Sequence, residues 1–367
     1  MARSGRWVRC PARFCIASLT AAAALLATAV PSTADPEDLS VYAAADVTTL
    51  SSGWSNPWGM SFLPDGRSAL VTENETSRVF RLRDDGSRTL VGRVPHMVVY
   101  LPGDSAKGGL LGVAVSPTWD GKKDKAVFFM HTTKTETRVV RMNYDGGTSL
   151  SGYTVVLDGI RRGSNHNGGK IAFGPDGYLY VATGEATQAE LAQDTNSING
   201  KILRITKTGA PAPGNPFGNH IYSYGHRNPQ GLAWDGAGRL WSVEIGQEAT
   251  DELNLIEPGR NYGWPSCEGR CTAKGMTNPK VTWAHTTAPA QVAVAGDNLY
   301  VSSLRGYQLW RVGIDAAIGG TGDQAKTNVF GGHALRALTK VPGRNELWLG
   351  TARSADGNDM VLRVTVQ

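Results

Sequence analysis

A short apolar run, a turn rich in Pro, Asp and Gly, and a second apolar run recur along this chain. The clearest copy is Ile171-Ala172-Phe173-Gly174-Pro175-Asp176-Gly177-Tyr178-Leu179-Tyr180-Val181, and residues 232–241 superimpose on it without a gap. Related copies begin at Met60, Val113, Val292 and Leu338, so successive copies start 46 to 61 residues apart. Each interval has room for about four strands, and further strand-like runs follow some copies, as at 78–82 and 308–312. Apolar residues in short bursts bounded by turn formers predict strands rather than helices. Several four-stranded units in series predict an all-β fold, a six-bladed β-propeller of antiparallel blades. A pair of β-sandwiches with similar turns is the alternative. Helical spacing is scarce, and 189–192 is one of the few short candidates.

Composition fits this reading. The chain has 367 residues, 41% of them hydrophobic, which is ample for a packed core, and its 45 Gly and 18 Pro suit a turn-rich fold. The formal charge of +5 misleads, because Arg3, Arg6, Arg9 and Arg13 lie in an N-terminal segment without acids. Without those four, 33 basic residues face 32 acidic ones, which leaves no footprint for nucleic acid or an anionic membrane. Residues 1–34 read as a secretory signal: an Arg-rich start, an apolar run over 16–30, and small residues before Asp35. That run falls short of the roughly 20 residues that a membrane-spanning helix needs. Residues 35–367 are then a single exported propeller domain, secreted or periplasmic. Its two cysteines, Cys267 and Cys271, are expected to form a local disulfide, since nothing nearby supplies the further ligands of a zinc site.

Loops that enter the repeats carry the candidate chemistry. His166 sits among small and polar residues in Gly163-Ser164-Asn165-His166-Asn167-Gly168-Gly169, where an imidazole can reach a substrate and act as a base near neutral pH. Arg227 and Asn228, in Tyr224-Gly225-His226-Arg227-Asn228-Pro229, offer donors for a carboxylate or carbonyl. The acidic loop 244–254, followed by 259–265, has the carboxylates and carbonyls that a hard cation such as calcium takes, without the spacing of an EF-hand. Lys107, Arg227, Arg305 and Arg336 each fall at a blade entrance, and together they predict a mouth that holds an anion with several carboxylates or phosphates.

In order along the chain, Gly108-Gly109-Leu110-Leu111-Gly112, His166-Asn167-Gly168-Gly169, Gly225-His226-Arg227-Asn228-Pro229, Asp251-Glu252-Leu253-Asn254 and Asn261-Tyr262-Gly263-Trp264-Pro265 resemble the soluble quinoprotein glucose/sorbosone dehydrogenases, which include the aldose sugar dehydrogenases. The resemblance implies a six-bladed propeller that binds pyrroloquinoline quinone (PQQ) and Ca2+ at its mouth and oxidises an aldose to its lactone. It implies His166 as general base and Arg227 as stabiliser of the oxygen that gains charge. Lys107, Asn165, Arg227, Asn228, Trp283, Arg305 and Arg336 become expected cofactor contacts. The backbone carbonyls of Gly246 and Gln247 become expected ligands of a catalytic calcium, and Glu252 and Tyr262 those of a second, structural one. An electron acceptor outside the cytoplasm completes the cycle.

Four positions depart from the family pattern. Lys107 stands where Gln is frequent, Asn165 where some members have Asp, Gln247 where Pro is frequent, and Ala334 where the first arginine of a pair is expected. One missing charged hydrogen bond to a carboxylate corresponds to about 1.5–3 kcal/mol of cofactor binding. Two other functions remain open on the sequence alone. One is a non-enzymatic propeller that binds carbohydrate or protein, which needs no base at His166; the other is a calcium-dependent hydrolase or lactonase, which needs no quinone.

Overall fold

The computed structural model describes residues 46–101, 108–354 and 357–366. Their strands form six four-stranded antiparallel sheets. The first sheet contains β2 (Pro57–Phe62), β3 (Ser68–Glu73), β4 (Arg78–Arg83) and β5 (Arg88–Arg93). The second contains β6 (Leu110–Val115), β7 (Ala126–Thr132), β8 (Glu136–Tyr144) and β9 (Leu150–Arg161). The third contains β10 (Ile171–Phe173), β11 (Leu179–Thr183), β12 (Lys201–Ile205) and β13 (Ile221–Tyr224). The fourth contains β14 (Pro229–Trp234), β15 (Leu240–Glu244), β16 (Thr250–Ile256) and β17 (Val281–Ala284). The fifth contains β18 (Pro289–Ala295), β19 (Asn298–Ser303), β20 (Gln308–Gly313) and β21 (Thr327–Gly331). The sixth contains β22 (Leu335–Lys340), β23 (Glu346–Thr351), β24 (Asp359–Thr365) and, outermost, β1 (Asp46–Trp54).

The six sequence copies are the first two strands of the six blades, and their turn geometry explains why the pattern is legible. In the third copy Phe173 pairs with Leu179, and in the fourth Trp234 pairs with Leu240. The turn between Phe173 and Leu179 closes with the Gly177 N–H donating to the Gly174 carbonyl at 2.9 Å, and Gly177 sits at φ +79°, a conformation that side chains resist. Inner strands pack side by side around the ring, β2 against β6, β6 against β10, β10 against β14, β14 against β18, β18 against β22, and β22 back against β2. The last contact closes the propeller. β1 strengthens that closure by pairing with β24, from Asp46 opposite Thr365 to Trp54 opposite Asp359, so the N-terminal strand completes the C-terminal blade.

The core divides in the same way. Six larger apolar clusters occupy the six blade interfaces, for example Leu70, Val79, Val113, Val127 and Phe129 between the first and second blades. Both faces of β3 and β6 are buried, which is why these strands read as apolar bursts instead of strict alternation. Each buried Val, Leu or Phe contributes about 1.5–3 kcal/mol relative to exposure. The segment 189–192 forms a single turn of 3-10 helix, and two short helices the sequence pattern did not announce, α1 (Ile314–Ile318) and α2 (Gly322–Ala325), lead from β20 to β21. Cys267 and Cys271 are joined in a disulfide. Among the described residues no helix is long and apolar enough to cross a membrane. Lys107 and the expected leader, residues 1–34, lie outside the described residues.

Candidate active site

The loops that lead into the inner strands meet at one cavity of about 500 Å3. Its wall takes Trp58 from β2, Leu111 from β6, Asn165 to Gly168 ahead of β10, Arg227 and Asn228 ahead of β14, Ile245 to Gln247 after β15, Arg305 after β19, Arg336 on β22 and Arg353 after β23. Of the residues predicted from sequence, Asn165, His166, Arg227, Asn228, Gly246, Gln247, Arg305 and Arg336 are thus brought together.

His166 is held by its own loop and by the end of β11. Asn167 ties the loop shut, its Oδ1 accepting the Gly163 N–H at 2.9 Å and its Nδ2 donating to the Gly163 carbonyl at 3.1 Å. The His166 carbonyl accepts the Ala186 N–H at 3.1 Å and lies so close to Gly184 that a Cβ there would stand 1.8 Å from it. Only glycine fits position 184. His166 adopts φ +53°, and its Nδ1 bonds to Oε1 of Glu185. That carboxylate is 2% exposed, and its other oxygen has no donor among the described residues. Glu185 therefore fixes the ring: Nδ1 carries the proton toward the carboxylate and Nε2 keeps its lone pair. Sequence reasoning missed Glu185, although it directly follows the glycine that lets the His166 loop pack against β11.

Arg227 stands on a turn anchored by a second buried acid. Glu244, at the end of β15, accepts the backbone N–H groups of Arg227 and of Asn228, the latter at 3.0 Å, and receives Nδ1 of His226 at 3.0 Å. His226 is fully buried and bonds Ser223 through Nε2 at 2.8 Å, so it belongs to the scaffold. The Arg227 guanidinium donates from Nη1 to the carbonyls of Ile245 at 3.0 Å and Gly246 at 2.7 Å, and lies over Trp264 at 5.4 Å. Its Nε is buried without a partner among the described residues. Burial pushes the Arg227 guanidinium below the usual arginine range, while Glu185, Glu244, Glu268 and Asp251 pull it back. Asn228 accepts the Gly168 N–H at 3.1 Å and a Gln230 amide hydrogen at 2.9 Å, which leaves its own Nδ2 as a free donor at the wall.

The opposite wall is cationic. Arg336 stacks on Trp58 at 4.7 Å, and burial, then the Arg353 charge, pushes its guanidinium down to about 9. Neither Arg305, Arg336 nor Arg353 forms an ion pair among the described residues. Arg336 is partly buried and Arg305 and Arg353 are exposed, so together they make this wall net positive and suited to a ligand with carboxylates.

A family model described as Glucose / Sorbosone dehydrogenase matches residues 54–356. The chain belongs to this family. It is 31% identical over 264 residues to the Aldose sugar dehydrogenase YliI of Escherichia coli, a match covering 65% of this chain and 66% of that protein. It is also 31% identical over 259 residues to Quinoprotein glucose dehydrogenase B of Acinetobacter calcoaceticus, covering 61% of this chain and 53% of that one. The chain thus spans between about half and two thirds of the length of these relatives. Among solved structures, the PQQ-bound form of Aldose Sugar Dehydrogenase from Streptomyces coelicolor superimposes with a TM-score of 0.79 at 40% identity, covering 88% of this chain and 98% of that one.

Trp283, expected at the cofactor, lies away from the glucose/sorbosone dehydrogenase cavity, as do Glu252 and Tyr262, which were expected at a second calcium and not at the cavity. Trp283, on β17, is buried in the interface between the fourth and fifth blades, 6.3 Å from Trp310. The Tyr262 hydroxyl donates to the Leu255 carbonyl at 2.6 Å and accepts the Glu257 N–H at 2.9 Å, with its ring stacked on His226. Glu252 is buried beside Glu244, bonded to the Gly269 N–H at 2.7 Å and to Asn254, and burial with the Glu244 charge raises its carboxyl well above the usual range. Among the described residues no cluster of three or more His, Cys, Asp or Glu is placed to hold a metal. Of the expected calcium ligands, Gly246 and Gln247 line the cavity, and the Gly246 carbonyl accepts from Arg227 at 2.7 Å. Two carbonyls alone fall short of the six to eight oxygens that calcium takes, so further oxygens would have to complete such a site. For PQQ the fit is better, since unpaired arginines, the free Asn228 amide and the stacked Trp58 suit a flat polycarboxylate.

Proposed function

We propose that this chain is an exported PQQ-dependent aldose dehydrogenase, which oxidises the anomeric carbon of a sugar to a lactone and passes the electrons to an acceptor outside the cytoplasm. The observation that carries this reading is the His166–Glu185 pair on one wall of the cavity with partnerless arginines on another. A module that only binds needs no base held in a fixed tautomer by a buried carboxylate.

PQQ, when bound, supplies the two-electron acceptor for the hydride that leaves C1 of the sugar. The chain's own residues do the rest. His166 Nε2 takes the proton of the anomeric hydroxyl, and Glu185 steadies the imidazolium that results. Arg227 and Asn228 line the cavity and would donate N–H groups to oxygen that gains negative charge. Arg305 and Arg336 would hold carboxylates, with the Arg336–Trp58 stack fixing the plane of the guanidinium. The loop of Asn165 borders the same space. Any calcium would use the Gly246 and Gln247 carbonyls and take its remaining oxygens from water and cofactor.

Reconstitution tests the proposal. Quinone-free protein is mixed with PQQ and calcium, and dye reduction is followed over a panel of aldoses. Sugar-dependent reduction that needs PQQ is the expected result. Hydrolysis of lactones or esters by quinone-free protein would replace this reading with a hydrolase, and uptake of sugar without turnover would replace it with a binding module.

A further inference from the structure

We infer that Arg353 is a cofactor-anchoring residue, the third cation of the carboxylate-binding wall, placed there by the β22–β23 hairpin. The inference rests on the proposed function and goes beyond it, because nothing in the sequence patterns drew attention to this residue.

The placement follows from strand register. Leu335 pairs with Thr351, and just beyond it the Ala352 N–H donates to the Ala334 carbonyl at 2.8 Å. The residue after Ala352 therefore emerges beside Ala334, across the hairpin. Position 334 is where a cation was expected, and a buried alanine is found. Arg353 brings a cation to the same end of the hairpin from the neighbouring strand, and it lines the cavity with Arg336 and Arg305.

Two further features set Arg353 apart from a stray surface charge. Its backbone lies at φ +64°, a region that a non-glycine side chain enters only when the surroundings impose it. It also has no acidic partner among the described residues, whereas Arg78, Arg138, Arg204 and Arg363 each lie within 3.0 Å of a carboxylate. The Arg353 charge instead bears on Arg336, which burial has already disfavoured. Holding two like charges beside one cavity is unfavourable in the empty protein, and a polycarboxylate removes the conflict. Arg353 would therefore set how many carboxylates the site prefers, favouring a tricarboxylate over ligands with fewer.

The test is a binding measurement on quinone-free protein in calcium buffer, with PQQ titrated against tryptophan fluorescence at low and high salt. R353Q should weaken PQQ binding by about tenfold at low salt, the lower part of the range for a charged hydrogen bond because the residue is exposed at the rim. R353Q should also flatten the salt dependence, and R353K should retain most of it. Since position 353 lies outside the strands, an unchanged melting temperature is expected for both. R353Q affinity within twofold of the parent overturns the inference, as does a loss with the parent's full salt dependence. Failure of the parent itself to take up PQQ instead sinks the proposed function.

Discussion

Glu185 gives the sharpest test of the catalytic reading. Glu185→Gln keeps the size and one oxygen for the His166 Nδ1–H but removes the charge that would steady the imidazolium. A hydrogen bond to a charged group contributes about 1.5–3 kcal/mol, and at 2% exposure the carboxylate is little screened, so the full range applies. That range corresponds to a fall of about 10- to 150-fold in turnover. The fold should not suffer. One oxygen of Glu185 is buried without a donor among the described residues, so the amide exchanges an uncompensated charge for a neutral NH2 that costs less to bury. The assay is steady-state dye reduction with the reconstituted protein, with kcat and KM read separately and the melting temperature recorded beside them. The expected result is a lower kcat with KM and melting temperature nearly unchanged, and Glu185→Asp, which shortens the reach, should also lose rate. A Glu185→Gln protein with kcat within twofold of the parent would refute the role of the pair.

Other expectations can be checked alongside. His166→Ala should abolish sugar oxidation while PQQ affinity, from a fluorescence titration, changes by less than about threefold, because the carboxylate-binding wall lies elsewhere. Gly184→Ala should destabilise the protein by about 1–3 kcal/mol in a urea titration, since its new methyl would meet the His166 carbonyl at 1.8 Å and push the catalytic loop. His131 should make stability depend on pH. Burial lowers this imidazole from 6.5 to about 4, with Arg138 and His96 adding to the fall and Glu136 and the Thr132 carbonyl opposing it. The unfolded chain then binds a proton that the folded one refuses, so stability should be full above pH 6.5 and fall by about 3 kcal/mol as pH drops to 4. His131→Gln, whose amide reaches the Nε2 position that bonds Tyr153, should flatten that slope, and a slope unchanged by the substitution would assign the effect to other groups.

Much of the architecture could be read from the chain because a propeller repeats one local solution. Each pair of inner strands meets at a tight turn, and the turn needs Gly, Asp or Pro at fixed places, so the copies at 171 and 232 align without a gap. β1 was not foreseen, because its pairing with β24 depends on a partner more than 300 residues away and leaves little local trace. The cavity was legible where a motif puts the residue on the entry loop itself, as for His166, Arg227 and Asn228. Glu185 and Arg353 sit at the far ends of second strands, at β11 and β23, where one polar residue looks like any strand end. Trp283 fails for the opposite reason. A tryptophan near the right place in sequence packs as well between two blades as into a cavity, and here the blade interface takes it.

The distribution of acids explains how one cavity can hold an anion and still keep a base. Behind the His166 and Arg227 side, four carboxylates act on the guanidinium, and three of them are also spent on backbone N–H groups. Glu244 takes those of Arg227 and Asn228, Asp251 takes Gly246 at 2.9 Å and Ala288 at 2.7 Å, and Glu268 takes several between Gln247 and Thr250. They turn the loops toward the cavity and, in doing so, offset the Arg227 charge. Acids are fewer behind the other side: Asp251 also acts on Arg305, Asp359 takes the Asn56 N–H at 2.9 Å and the Ser354 N–H at 3.0 Å, and among the described residues no acid pairs with Arg305, Arg336 or Arg353. The acids thus gather on the His166 and Arg227 side, and the arginines without an ion pair among the described residues stand on the other, where carboxylates would bind. If both sides were equally cationic, the imidazolium formed at His166 would be opposed by every neighbouring charge. Adding an acid to the anchoring side should accordingly weaken PQQ binding while sparing the fold, and removing Glu185 from the other should spare binding while slowing the reaction.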